Sequence, residues 1–122
     1  MLTGDGAFQM TAQEISTLMR IHSNVIILLI NNDGYLIERE LHEDGPYNDI
    51  QMWNYSKLPF VLGAKDAAVG LRVQTETELD EALRQAAGDK SRLYFIDMVI
   101  SERNCSAALK QLRKSFRNAT KK

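Results

Sequence analysis

Six consecutive apolar residues, Val25-Ile26-Ile27-Leu28-Leu29-Ile30, constrain the fold of this chain more than any other stretch. Alternation of apolar and polar residues would give a strand with one wet face. A continuous run gives a strand covered on both faces, as in the middle of a parallel sheet. A parallel neighbour requires a crossover, and one stands just upstream. Thr11 and Glu14 have the spacing of a capping box, and Ile15, Leu18 and Met19 form one apolar face. A helix is therefore predicted from about Ala12 to Ile21. Met10 and Met19 read as packing residues. Gly4-Asp5-Gly6 precedes this helix, after a lead-in too short for a good central strand. Strand, helix, strand is a crossover unit, right-handed by the usual rule.

Downstream, Gly34 allows a sharp turn after Asn31-Asn32-Asp33, with a helix predicted to begin near Tyr35. His42 to Asp49 reads as an irregular loop around Asp44-Gly45-Pro46. Tyr47, Trp53 and Tyr55 are amphipathic aromatics expected over the edge of the sheet. Ser56 to Leu62 reads as a short helix with Pro59 near its start and Gly63 at its end. Gly70 to Gln74 alternates like a half-buried strand. Thr75 and Glu78 form a second capping box, before a helix with the stripe Leu79, Ala82, Leu83 and Ala86 that stops at Gly88. Arg92 to Ile100 is a further strand, interrupted by Asp97, which faces a polar crevice or caps a neighbouring element. Ser106 caps a last helix striped by Leu109, Leu112 and Phe116. The order of elements specifies one α/β domain, an open, mostly parallel sheet with helices on both faces.

Charge excludes some partners. The net charge of −1 gives no general reason to expect nucleic acid or an anionic membrane, and no apolar run approaches the ~18 residues of a bilayer span. No signal peptide is visible at the start. The single cysteine, Cys105, precludes an internal disulfide and fits a reducing, cytoplasmic setting. Between Lys110 and Lys122 every charged residue is basic, and Lys110, Arg113, Lys114 and Arg117 fall at helical spacings. This reads as the solvated face of a terminal helix, in preference to an anion- or nucleic-acid-binding tail.

Open parallel sheets bind ligands outside the carboxyl ends of their strands. Asp5 and Asn31-Asn32 stand at two such ends. A hard cation such as Mg²⁺ takes oxygen ligands and combines one or two protein carboxylates with phosphate and water. Asp5 offers charge, Asn32 an amide oxygen, and Gly34 its carbonyl. The amides of Gly6, Ala7 and Phe8 are free to meet a diphosphate at a loop-to-helix junction. Glu38 follows Gly34 by about one helical turn, which aims its carboxylate at the same place. The alternative for Glu38 is a solvated surface glutamate, as Glu40 is read.

Gly4-Asp5-Gly6, then the 24 residues at positions 7–30, then Asn31-Asn32 resembles the thiamine diphosphate motif of the 2-oxo acid decarboxylases and their relatives. Thr11 to Thr17, Asn31 to Tyr35, Ile37-Glu38-Arg39 and Tyr47 to Ile50 resemble the decarboxylase branch. Trp53-Asn54-Tyr55-Ser56-Lys57-Leu58-Pro59, with Gly63-Ala64, is similar to bacterial branched-chain 2-oxo acid and indolepyruvate decarboxylases. The resemblance covers nearly the whole chain, most strongly Gly4 to Ala64. It implies thiamine diphosphate and Mg²⁺ as cofactors, with Asp5, Asn32 and the Gly34 carbonyl as metal ligands. It puts Gly4, Gly6, Ala7 and Phe8 at the diphosphate and its neighbours, Ile37 against the cofactor, and Glu38 as the catalytic glutamate.

The implied reaction is non-oxidative decarboxylation of a 2-oxo acid to an aldehyde and carbon dioxide. Two departures stand out: Leu36 where threonine or serine is usual, and Glu43 where glycine is usual, the latter adding a charge near the active-site mouth. The family's enzymes are several times longer, homo-oligomeric, and hold the cofactor against an amino-terminal pyrimidine-binding domain of a partner subunit. The cofactor-activating glutamate and paired histidines lie there, and His22 and His42 do not match them. The resemblance thus implies an amino-terminally truncated thiamine diphosphate-binding domain, inactive by itself. The alternatives are a non-catalytic remnant or interaction module and, more distantly, a relative of acetolactate synthase. The choice among aromatic, branched-chain and small 2-oxo acids stays open.

Overall fold

The computed structural model describes residues 1–42 and 44–119, with side chains as far as Phe116. Its elements are β1 (Leu2–Gly4), α1 (Asp5–Gln9), α2 (Glu14–Arg20), β2 (Ile26–Asn31), α3 (Leu36–Leu41), α4 (Leu58–Val61), β3 (Ala68–Val73), α5 (Glu76–Gly88), β4 (Leu93–Val99) and α6 (Ala107–Ala119). Two single turns of 3₁₀ helix, Pro46–Asn48 and Tyr55–Lys57, lie between α3 and α4. The four strands form one parallel sheet in the order β1-β2-β4-β3. The apolar run thus becomes an inner strand, with β1 on one side and β4 on the other.

On one face Ile27, Leu29, Leu93 and Phe95 are fully buried beneath Phe8, Ile15, Met19 and Tyr55. Each such side chain contributes about 1.5–3 kcal/mol relative to exposure. Phe8 meets Phe95 and Tyr55 at ring-centroid distances of 5.2 and 6.1 Å. On the other face Ala82 of α5 packs against Val73 and Ile96. Helices therefore cover both faces, but unequally. Along β2, Ile27, Leu29 and Asn31 are buried while Ile26, Leu28 and Ile30 are half-buried. The full two-sided burial expected of the run is met on one side only, because α5 lies over β3 and β4.

Several local expectations are corrected. The helix expected from Ala12 is shorter, and a separate helix, α1, occupies Asp5–Gln9. Thr11 does not cap α2, whose preceding residue Gln13 is itself helical (φ −62°, ψ −20°). Met10 is 69% exposed and packs into no core, whereas Met19 is buried. Tyr47 is exposed, while Tyr55 lies in the core with Trp53 against it. Glu40 is buried, not solvated, and accepts from Arg113 Nη1 at 2.9 Å, which ties α6 to α3. Lys110 and Lys114 are exposed as expected, Arg113 is half-buried, and Leu112 and Phe116 remain largely exposed. The expectations for Glu43 and for the Arg117, Lys121 and Lys122 side chains lie outside the described residues. The second capping box forms as read: Glu78 N–H donates to Thr75 Oγ1 at 3.2 Å, and Thr75 N–H donates to Glu78 at 3.0 Å. Ser106 Oγ accepts from Leu109 N–H at 3.1 Å at the start of α6.

Candidate functional site

β1 and β2 end side by side, with Gly4 in register with Ile30. The next residue on each strand's path is polar: Asp5 opens α1, and Asn31-Asn32 closes β2. Asp5 is 2% exposed. Its Oδ1 accepts from Gly6 N–H at 2.8 Å, so this amide, expected to be free for a diphosphate, is already engaged, and its Oδ2 accepts from the N–H groups of Asn32 and Gly34 at 3.2 Å each. One carboxylate thus joins the first turn of α1 to the turn after β2. A carboxylate has about four acceptor positions, so three N–H donors leave room for a cation.

The turn itself requires unusual backbone. Asp33 sits at φ 58° and Gly34 at φ 132°. A Cβ at Gly34 would stand 2.6 Å from the Asn48 carbonyl, so both conformation and space require glycine there. Gly6 is held open by contact instead: a Cβ would lie 2.5 Å from the Tyr35 ring, whose hydroxyl donates to the Gly6 carbonyl at 3.3 Å. Arg39 secures the turn from behind. Its buried guanidinium reaches Asp44 (2.8 Å), Asp49 (2.6 Å) and the Asn48 carbonyl (3.2 Å), and that same carbonyl accepts from Tyr35 N–H at 3.0 Å. Asp49, then Asp44, hold the Arg39 guanidinium charged against the cost of burial. The charge of Arg39 gave no sign of this role, because its partners come from an irregular loop.

A cavity of about 230 Å³ opens over this junction, lined by Gly4, Asp5, Gly6, Ala7, Met10, Asn32, Gly34, Tyr35, Leu36 and Ile37. Cavities of about 280, 300 and 410 Å³ lie elsewhere among the described residues, and none of the three is lined by a residue of this turn. Of the residues singled out from sequence, Gly4, Asp5, Gly6, Ala7, Asn32, Gly34 and Ile37 meet at this wall. Two do not. The Phe8 ring turns into the core, which leaves only its backbone near the site. Glu38 lies on the exposed side of α3, 3.6 Å from His42 Nε2, and does not line the cavity. His22 and His42 are both exposed. Met10, Tyr35 and Leu36 line the wall without having been singled out as site residues; Tyr35 sits next to Gly34, which was the available signal.

The donor set fits a hard cation. The Asn32 carboxamide makes no hydrogen bond among the described residues, and the Gly34 carbonyl keeps a lone pair after accepting from Leu36 N–H at 3.1 Å. One carboxylate, one amide oxygen and one carbonyl suit Mg²⁺, which keeps positions for phosphate and water. Among the described residues no three His, Cys, Asp or Glu side chains gather as a metal cluster.

The model of the thiamine pyrophosphate enzyme C-terminal TPP binding domain matches residues 1–98. The chain belongs to this family. The matched range takes in the whole turn, the cavity and nearly all of β4, and leaves out α6. Among curated relatives, the chain is 41% identical over 113 residues to the alpha-keto-acid decarboxylase of Mycobacterium tuberculosis, covering 92% of this chain and 20% of that one. It is 45% identical over 107 residues to pyruvate decarboxylase 2 of Oryza sativa subsp. japonica, covering 87% and 18%. It thus spans about a fifth of the length of the curated relatives it matches. The crystal structure of benzoylformate decarboxylase from Polynucleobacter necessarius superposes with a TM-score of 0.69 at 24% identity, over 83% of this chain and 19% of that one. That likeness supports the open parallel fold.

Proposed function

We propose that this chain supplies the magnesium- and diphosphate-binding portion of a thiamine diphosphate-dependent 2-oxo acid decarboxylase. The observation that carries this reading is the buried Asp5 carboxylate, joined to both strand ends and lining one cavity with Asn32, whose carboxamide has no partner among the described residues. Asp5, Asn32 and the Gly34 carbonyl would hold Mg²⁺. Gly4, Gly6, Ala7 and the Phe8 backbone would take the diphosphate and its surroundings, with Ile37 against the cofactor. When bound, thiamine diphosphate supplies the nucleophilic carbon and the electron sink for loss of carbon dioxide.

The chain's own groups bind, orient and manage protons. Ile37, 51% exposed at the rim of the cavity, offers an apolar surface for the cofactor to cover. Glu38, the next residue along α3, would hold a proton at its carboxyl beside the bound cofactor, which requires its side chain to leave His42. The partners are a 2-oxo acid and an amino-terminal pyrimidine-binding domain of the same or a neighbouring subunit, in a homo-oligomer in a reducing cytoplasm. Among the described residues no helix is long and apolar enough to cross a membrane, and the near-neutral charge supports no nucleic-acid partner.

A second reading is a non-catalytic remnant or interaction module that keeps the fold. Titration with thiamine diphosphate in the presence of Mg²⁺, on the native chain and on Asp5→Ala, separates the two. The decarboxylase reading predicts saturable binding that weakens by at least about tenfold in the variant. Equal affinity in both proteins, or no binding by folded native chain, favours the second reading. On the first reading, the isolated chain turns over no 2-oxo acid until a pyrimidine-binding domain is supplied.

A further inference from the structure

Asn31, unlike Asn32, points away from the cavity. On β2 it shares a face with Ile27 and Leu29, and across the sheet Asp97 of β4 stands on the same face, in register with Leu29. Both side chains are 1% exposed. Asn31 Nδ2 donates to Asp97 Oδ1 at 2.9 Å. The two remaining oxygens, Asn31 Oδ1 and Asp97 Oδ2, are buried and have no partner among the described residues.

An ionised carboxylate would leave both of these acceptors unsatisfied inside the protein, which native interiors avoid. Exchanging the amide nitrogen and oxygen of Asn31 would still leave one pair of atoms unmatched. A neutral acid resolves both at once. With its proton on Oδ2 it would donate to Asn31 Oδ1 while Oδ1 accepts from Nδ2, a ring of two hydrogen bonds.

We propose that Asp97 is carried as the neutral acid, paired through two hydrogen bonds with Asn31, and that this pair is a positioning element for the Asn32–Gly34 turn. The positioning part rests on the reading of that turn as the metal and diphosphate site. Asn31 is the last residue of β2, and its carbonyl also accepts from Ile100 N–H at 2.9 Å. The end of β2 is thus gripped from β4 through both main chain and side chain, one residue before the turn begins.

The charged groups around Asp97 are few. Arg72 on β3 is cross-strand from it but exposed, and makes no ion pair with it among the described residues. Asp5, at the start of α1, opposes a second negative charge. Burial raises the Asp97 carboxyl above its ordinary range, and Asn31 and Arg72 only partly offset this.

Three variants of the 122-residue chain test the pair. Infrared difference spectra of native protein against Asp97→Asn at neutral pH should show the carbonyl stretch of a buried neutral acid, lost in the variant. Amide hydrogen exchange reads the positioning without any ligand. Asp97→Asn can re-form two bonds with Asn31, so exchange at Asn32 and Gly34 should stay within about threefold of native. In Asp97→Leu and Asn31→Leu it should rise by about tenfold or more at those amides, with α5 unchanged. A carboxylate band in place of the acid band, or an Asn variant as fast as the Leu variants, overturns the proposal. If the Leu variants fail to fold, the acid band and the Asn variant still decide. A chain that binds no cofactor yet shows this band and exchange pattern overturns the proposed function and leaves the pair standing.

Discussion

Asp5 organises this chain before any ligand arrives: its carboxylate binds amides 27 and 29 positions away. The residues that build the site are therefore also residues that build the fold, and substitutions there change both. Gly34 shows this most directly. Gly34→Ala combines a strained φ of 132° with a Cβ 2.6 Å from the Asn48 carbonyl. We expect it to lower stability by about 2–3 kcal/mol. Urea denaturation measures this, and a loss below about 0.5 kcal/mol would show that the turn relaxes freely. The residues of this turn were legible from sequence because their chemistry is short-range: an acid, an amide and a glycine at strand ends need little context. Glu38 was less so. One helical turn gives its distance from Gly34 but not the side chain's direction, and the structure turns it outward to His42. Arg39 and the Asn31–Asp97 pair stayed hidden because their partners are remote in sequence.

At the scale of elements, the two capping boxes show what spacing can and cannot decide. Thr75 is extended (φ −129°, ψ 157°), as a capping residue must be, and its box forms. Thr11 has the same spacing to Glu14, but the chain winds through helical turns from Met10 to Gln13 and never presents an extended cap. Motif and backbone conformation have to agree, and only the second box met both conditions. The α5–β4 junction carries a prediction of its own. Ser91 and Arg92 hold the Asp89 carboxyl well below the usual carboxylate range, the Ser91 hydroxyl first and its amide next. Because the folded state depresses this pKa, the stabilisation is present above the ordinary value of 3.8 and is lost as pH falls toward the folded value. Asp89→Asn should therefore melt below the native chain at neutral pH, and the gap should close in acid. A gap that stays constant from neutral to strongly acid pH would remove the charged form of Asp89 from the account.

At the scale of the whole molecule, the sheet is unevenly finished. β1 is an outer strand of three residues, Met1 and Leu2 are 60% and 64% exposed, and an apolar cavity of about 280 Å³ lies beside it against Ile15, Leu18 and Ile27. Exposed strand edges of this kind promote association. The chain alone should sediment as a mixture of species at micromolar concentration; a single monomeric boundary with cooperative thermal unfolding would contradict this. The parallel α/β architecture was legible because hydrophobic period and strand–helix alternation are properties of the sequence itself. How much of each face is covered was not, since that depends on where α5 and α6 pack.

Calorimetric titration of the purified chain with thiamine diphosphate, before and after chelation of Mg²⁺, tests the proposed magnesium–diphosphate site. With the site preformed, binding is saturable in the presence of Mg²⁺, disappears on chelation and returns when the metal is restored. Binding that is indifferent to the metal, or no binding by a sample that unfolds cooperatively, would contradict it.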